Sequence, residues 1–313
     1  MNINYRSVTD LNKAIISNLH KFPHDVDLIV GIPRSGMLPT NLLALYLNKP
    51  YTDIDSFVEG RVYDAGYRQK FINHTQTNKV LVVDDSVLGG WALRKAKGKL
   101  QKFEGQYEFI YSVVYSTKDS RDLVDIYCEI VDRPRTFQWN FFHHPEFIPR
   151  SCFDIDGVLC EDPPIDDDGE IYSNYLANAP VKYLPSLEID TLVSCRLEKY
   201  RHITERWLSK NGVKYKRLIL LDMKTKEERI KWGKHGEYKA RVYKESDNIL
   251  FVESSLKQAK IIARISHKPV FCTETFEMIY IKGLKKWIQE LAHSFHVILR
   301  KIKNRCLLVL HMY

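Results

Sequence analysis

Val80-Leu81-Val82-Val83-Asp84-Asp85-Ser86-Val87-Leu88-Gly89-Gly90 decides the reading of the first half of the chain. Four apolar residues run into two adjacent acids and then into a glycine pair. A continuous apolar run of this kind suits a strand buried on both faces. A second stretch of the same design follows at Ser151-Cys152-Phe153-Asp154-Ile155-Asp156-Gly157-Val158-Leu159. Here two acids lie two residues apart, so a strand delivers both to the same side of its end. A chain of 313 residues, 44% of them hydrophobic, accommodates two domains with a core each.

Working outward, strands are expected at residues 27–32, 79–83, 109–115 and 125–131, with helices between them. Thr9 and Asp10 are expected to cap the first helix, and 41–47 forms a second. Pro134, Pro145 and Pro149 break the rhythm, and it restarts with strands at 151–155, 191–194, 217–221 and 249–252. Helices are expected over 197–211 and 255–266. Strands alternating with helices imply an α/β protein with mainly parallel sheets. The expected domains are 1–148, 149–275 and a basic amphipathic tail, 276–313.

The six cysteines show no CxxC pair and read as reduced thiols. The segment MNINYRSVTD lacks the apolar core of a secretory signal, and no run of about 18 apolar residues suggests a membrane span. The net charge is +8, of which the tail, with seven Lys/Arg and two Glu, holds +5. No nucleic-acid partner is therefore expected. In the tail Leu284, Trp287, Ile288, Leu291, Phe295, Ile298, Leu299 and Ile302 recur at helical spacing among lysines and arginines. That pattern suits a helix on an anionic membrane, or one docked on its own domain or a second subunit. A cytoplasmic protein, peripheral on the inner face of the membrane, is the expectation.

Two loops in the first half are suited to anions. In Val30-Gly31-Ile32-Pro33-Arg34-Ser35-Gly36 the glycines allow a tight turn, and Arg34 adds a fixed cation. With the acid pair at Asp84-Asp85, this half resembles the type I phosphoribosyltransferase family over about 27–139. The resemblance implies phosphoribosyl pyrophosphate as substrate. It implies that Asp84 and Asp85 hold the ribose hydroxyls, directly or through Mg²⁺. Ser86, Val87, Leu88, Gly89, Gly90 and Trp91 would cradle the 5-phosphate, and Arg34, Ser35 and Gly36 the pyrophosphate. The family usually places hydroxyl residues on either side of the last glycines, where this chain has Gly89 and Ala92. Between the loops, 56–70 carries Arg61 and Arg68, placed to reach pyrophosphate if the segment closes as a lid; a solvated loop is the other reading. Trp139, in the cluster 137–144, either stacks on an acceptor or belongs to an interdomain core. The adjacent His143-His144 pair is not expected to hold a metal.

The second half resembles the haloacid dehalogenase superfamily over about 151–272, a Rossmann-like fold. The resemblance implies that Asp154 attacks phosphorus and that Asp156 protonates the leaving oxygen and later activates water. Ser194 would bind the phosphoryl group, Lys239 (with Lys224 as second choice) would neutralise it, and Glu253 would hold Mg²⁺ together with the two aspartates. Ser254 stands at the usual second acid position. The short segment 161–186 allows only a small cap.

The pairing of the two domains looks like the bifunctional ribofuranosyltransferases of bacterial polysaccharide assembly, with a lipid-linked glycan as acceptor. Two alternatives stand beside it: a nucleobase or orotate phosphoribosyltransferase with an attached nucleotide phosphatase, and a non-catalytic regulator that binds nucleic acid.

Overall fold

The computed structural model describes residues 3–63, 67, 78–164 and 169–280. Contacts divide the chain into two compact units, one ending at His144 and the next beginning at Pro145. Arg68 and the tail beyond residue 280 lie outside the described residues.

The first unit runs β1 (Asn4–Arg6), α1 (Val8–Ser17), β2 (Leu28–Gly31), α2 (Met37–Leu47), β3 (Tyr51–Asp53) and α3 (Ile54–Val58). It continues with β4 (Lys79–Ser86), α4 (Trp91–Leu100), β5 (Glu108–Ser116), β6 (Ile126–Ile130) and β7 (Arg135–Phe137). A parallel sheet has the order β3-β2-β4-β5-β6, and β1 pairs separately with β7. The apolar run of β4 explains the central position. Leu81 and Val83 enter a core with Leu11, Ile15 and Leu43, while Val80 and Val82 enter another with Phe57, Leu93 and Leu100. After β2 the chain leaves to one side to form β3, then returns to form β4 on the other. The loops after β2 and β4 therefore diverge at a switch point, where open α/β sheets bind ligands.

The expected cap of the first helix is corrected. Ser7 caps α1, its Oγ accepting from the Asp10 N–H while the Asp10 carboxylate accepts from the Ser7 N–H. Asp10 is the reciprocal partner of a capping box and not the cap itself.

The second unit runs β8 (Ser151–Phe153), α5 (Glu170–Asn178), β9 (Ile189–Leu197), α6 (Arg201–Lys210), β10 (Tyr215–Leu221) and α7 (Lys226–Trp232). Then follow α8 (His235–Glu245), β11 (Leu250–Glu253), α9 (Leu256–Ser266), β12 (Val270–Cys272) and β13 (Glu277–Ile279). Its sheet has the order β10-β9-β8-β11-β12-β13, parallel except for the last pair. Here the switch point lies between β8 and β11, so the carboxyl ends of those strands share a crevice. The helix expected over 197–211 is also corrected: β9 continues through Leu197, which pairs with Leu221 across a bulge, and α6 starts at Arg201. No described helix is long and apolar enough to cross a membrane.

Candidate active sites

In the first unit the acids end β4. Both are buried, Asp84 at 8% exposure and Asp85 at 4%, yet a cavity of about 190 Å³ opens beside Asp84, lined by Ser86 through Leu93 and by Val113. Asp85 is tied to both neighbouring segments. Its Oδ1 accepts from Ser35 Oγ at 3.0 Å and its Oδ2 from the Trp139 indole N–H at 2.6 Å. Trp139 stacks on Phe137, centroids 5.0 Å apart and 5° from parallel, and Phe137 stacks on Tyr115. The ring reaches the site through its polar edge, a contact the sequence did not reveal. Burial, and next the Asp85 charge, raise the Asp84 carboxyl to about 9.

The loop 32–36 follows β2 and lies against the acids, with a cis peptide between Pro33 and Arg34. A Cβ at Gly36 would come within 2.8 Å of Asp84 Oδ1 and 2.9 Å of Val83 O, so only glycine admits this approach. Arg34 is exposed, and its Nη2 donates to Asn140 Oδ1 at 3.0 Å. Arg61 is exposed and paired with Glu59. Gly90 sits at φ 68° as the N-cap of α4, leaving backbone N–H groups to face the loop.

In the second unit one cavity, of about 450 Å³, gathers Asp154, Asp156, Ser194, Arg196 and Lys239, rimmed by Asp162, Lys182, Arg229 and Glu274. Lys239, on α8, spans two strand ends: its Nζ donates to Asp154 Oδ2 at 2.6 Å and to Glu253 Oε2 at 2.8 Å. The three side chains are 3%, 7% and 0% exposed. Burial alone would lower the lysine pKa, but the charges of Asp154 and Glu253 outweigh it and raise it, so the ammonium keeps its proton. Burial pushes the Asp154 carboxyl up, against the pull of Lys239. Lys224 is exposed and stands outside this cavity.

Arg196 was not anticipated. It is a fully buried arginine whose Nη2 donates to Asp156 Oδ1 at 2.6 Å and whose Nε donates to Oδ2 at 3.0 Å. Thr204 Oγ1 accepts from its Nη1 at 3.2 Å. Burial would raise the Asp156 carboxyl, but the guanidinium outweighs it and holds the group below the usual carboxylate range. The signal was period two. Once β9 extends to Leu197, Ser194 and Arg196 fall on the same side of the strand.

Gly157, at φ 70°, turns the chain where a Cβ would meet the Ser254 side chain at 2.5 Å. Ser254 donates from Oγ to the Asp156 carbonyl at 3.2 Å, so it closes this turn. Its N–H and that of Ser255 hold Glu253 Oε1 at 3.0 and 3.1 Å.

The oxygen donors would suit Mg²⁺ by chemistry. Their arrangement does not: Asp154 and Glu253 each turn an oxygen to Lys239, and Asp156 turns both to Arg196. Among the described residues no group of three or more His, Cys, Asp or Glu is arranged to hold a metal. Lys239 and Arg196 neutralise these carboxylates in this arrangement.

Comparison with known proteins bears on the first unit. Residues 3–146 match the phosphoribosyl transferase domain family. The chain thus carries a transferase domain of this type in its N-terminal unit, whose acid pair and glycine loops lie within the matched span. Among solved structures, purine phosphoribosyltransferase from Pyrococcus horikoshii is 19% identical, with a TM-score of 0.34, covering 44% of this chain and 94% of its own. Xanthine-guanine-hypoxanthine phosphoribosyltransferase from Helicobacter pylori is 14% identical, with a TM-score of 0.33, covering 44% and 92%. Orotate phosphoribosyltransferase from Aeropyrum pernix is 17% identical, with a TM-score of 0.26, covering 36% and 59%. A search of curated proteins returns no match.

Proposed function

We propose that the chain is a two-step enzyme that builds a ribofuranosyl unit. The transferase domain moves 5-phosphoribose from phosphoribosyl pyrophosphate to an acceptor, and the second unit, a phosphatase of the haloacid dehalogenase type, removes the 5-phosphate. A single observation carries the second step. Asp154, Asp156, Ser194 and Lys239, widely spaced along the chain, converge on one cavity beyond the strand ends.

In the first step loss of pyrophosphate leaves an oxocarbenium-like sugar. Asp84 and Asp85 fix the ribose, with Ser35 and Trp139 fixing Asp85 in turn, and Arg34 faces the charge that develops on the departing pyrophosphate. Mg²⁺ would supply further charge neutralisation if held at Asp84; both oxygens of Asp85 are already engaged by Ser35 and Trp139.

In the second step Asp154 Oδ attacks phosphorus, the bond from phosphorus to the sugar oxygen breaks, and an aspartyl phosphate forms. Lys239 neutralises the phosphoryl oxygens and Ser194 hydrogen-bonds them. In this reading the phosphate ester binds as its monoanion and its proton reaches the leaving oxygen through Asp156. Asp156, ionised again, then takes a proton from the water that attacks the aspartyl phosphate, which frees orthophosphate and Asp154. Arg196 favours the second role, because it stabilises the carboxylate.

A lipid-linked glycan is the acceptor that the basic tail and the domain pairing favour. The test is incubation with phosphoribosyl pyrophosphate and each acceptor class, with pyrophosphate and orthophosphate followed separately. Release of both with a polyprenyl-linked glycan supports the proposal. Pyrophosphate release with a purine or orotate alone would transfer the function to nucleotide metabolism.

A further inference from the structure

The start of α9 reads Ser255-Leu256-Lys257-Gln258, the spacing of a capping box in which the last side chain bonds back to the N–H of the first residue. Only half of that box forms. Ser255 Oγ accepts from the Gln258 N–H at 3.4 Å, but the Ser255 N–H is already held by Glu253 Oε1 at 3.1 Å. The Gln258 carboxamide is thereby released from the helix end. It lines the cavity of about 450 Å³ that also gathers Asp154, Asp156 and Lys239. Its Oε1 is buried and accepts no hydrogen bond among the described residues. A buried acceptor without a donor is costly, so a ligand that brings a donor gains the difference.

The rest of the cavity sets the class of that ligand. Asp162, Lys182 and Glu274 rim it, and among the described residues no Leu, Ile, Val, Met, Phe or Trp lines it. Tyr172, which does, is buried at 4% exposure. Such walls suit a polyhydroxylated sugar better than a nucleobase, which binds against apolar or aromatic faces. A carboxamide accepts from one hydroxyl through its oxygen and donates to the next through its nitrogen. We infer that Gln258 is a specificity-determining residue of the phosphatase step, reading the vicinal 2- and 3-hydroxyls of the ribose whose 5-phosphate meets Asp154. The inference rests on the proposed phosphatase step and names its substrate class, a ribofuranosyl 5-phosphate with both hydroxyls free.

The test is steady-state orthophosphate release by the full chain from ribose 5-phosphate, 2-deoxyribose 5-phosphate, adenosine 5-phosphate and 4-nitrophenyl phosphate. The unaltered protein should prefer ribose 5-phosphate to its 2-deoxy analogue about tenfold or more in kcat/KM, the scale of one hydrogen bond whose buried acceptor is left unpaired. Gln258→Leu should lose about that factor on ribose 5-phosphate, and with it the preference. Its turnover of 4-nitrophenyl phosphate, which carries no sugar hydroxyl, should stay within about twofold, the spread of a substitution that removes no contact. A residue that only capped α9 would move both substrates alike. Gln258→Met takes the place of Gln258→Leu if calorimetry shows the latter unfolded. A folded variant that loses both substrates equally, or neither, overturns the inference. So does an unaltered protein that ignores the 2-hydroxyl, or one that prefers adenosine 5-phosphate to ribose 5-phosphate by more than about tenfold. An unaltered protein that hydrolyses none of the four would instead overturn the phosphatase reading itself.

Discussion

Replacing Lys239 by methionine probes the centre of the second site. The ammonium sits 2.6 Å from one buried carboxylate and 2.8 Å from another. Its removal leaves Asp154 and Glu253 facing each other with no cation between them. Breaking a buried pair by deleting one partner costs about 3–5 kcal/mol. Each acid keeps one oxygen satisfied, Asp154 by the Ile155 N–H at 2.8 Å and Glu253 by two N–H groups, which favours the lower end of that range. At roughly 2–4 °C per kcal/mol for a unit of this size, the transition should fall by about 6–12 °C. Adding Glu253→Gln removes one of the two opposed charges and should restore roughly half of the loss. Scanning calorimetry of the full chain resolves the effect. A Lys239→Met variant destabilised by less than about 1 kcal/mol, or one that Glu253→Gln weakens further, refutes the idea that the lysine compensates two buried carboxylates.

Three further outcomes are expected. Trp139→Phe keeps the stack on Phe137 and removes the 2.6 Å bond to Asp85, so pyrophosphate release should slow about tenfold; unchanged kcat/KM would show that the bond does no positioning. Asp190 is lowered to about 2, since hydrogen bonds from Arg217, Asn248 and Thr191 outweigh its burial. Its folded value lies below the unfolded one, so its contribution is complete above the ordinary 3.8 and disappears as pH falls through about 2. Asp190→Asn should therefore lose less stability than the unaltered protein between those values, and urea midpoints with equal pH slopes would contradict this. Asp85→Asn should stop pyrophosphate release while leaving hydrolysis of a supplied ribose 5-phosphate intact, as two separate phosphate assays would read.

Much of this organisation was legible because strand ends announce themselves. Val80–Val83 and Cys152–Phe153 are short apolar runs stopped by acids, and a strand end suits both. The pairings that hold those acids were harder to see. Asp85 meets Trp139 across 54 residues, and Asp156 meets Arg196 across 40. Neither pair has a local spacing, and Arg196 was hidden by a strand read as ending too early. Short edge strands such as β3 and β13 were missed for a related reason: three residues carry too little periodicity, and their place is set by the neighbour they pair with. Ser7 was passed over as a cap because Thr9 and Asp10 compete for the same role, and only the paired hydrogen bonds distinguish them.

Mass spectrometry of the product that Asp154→Asn makes from phosphoribosyl pyrophosphate and polyprenyl-linked glycan reads the two-step scheme most directly. The account expects the variant to release pyrophosphate and to accumulate acceptor carrying phosphoribose, where the unaltered protein yields the dephosphorylated ribosyl product. A variant that releases no pyrophosphate, or an unaltered protein whose product retains the phosphate, would contradict it.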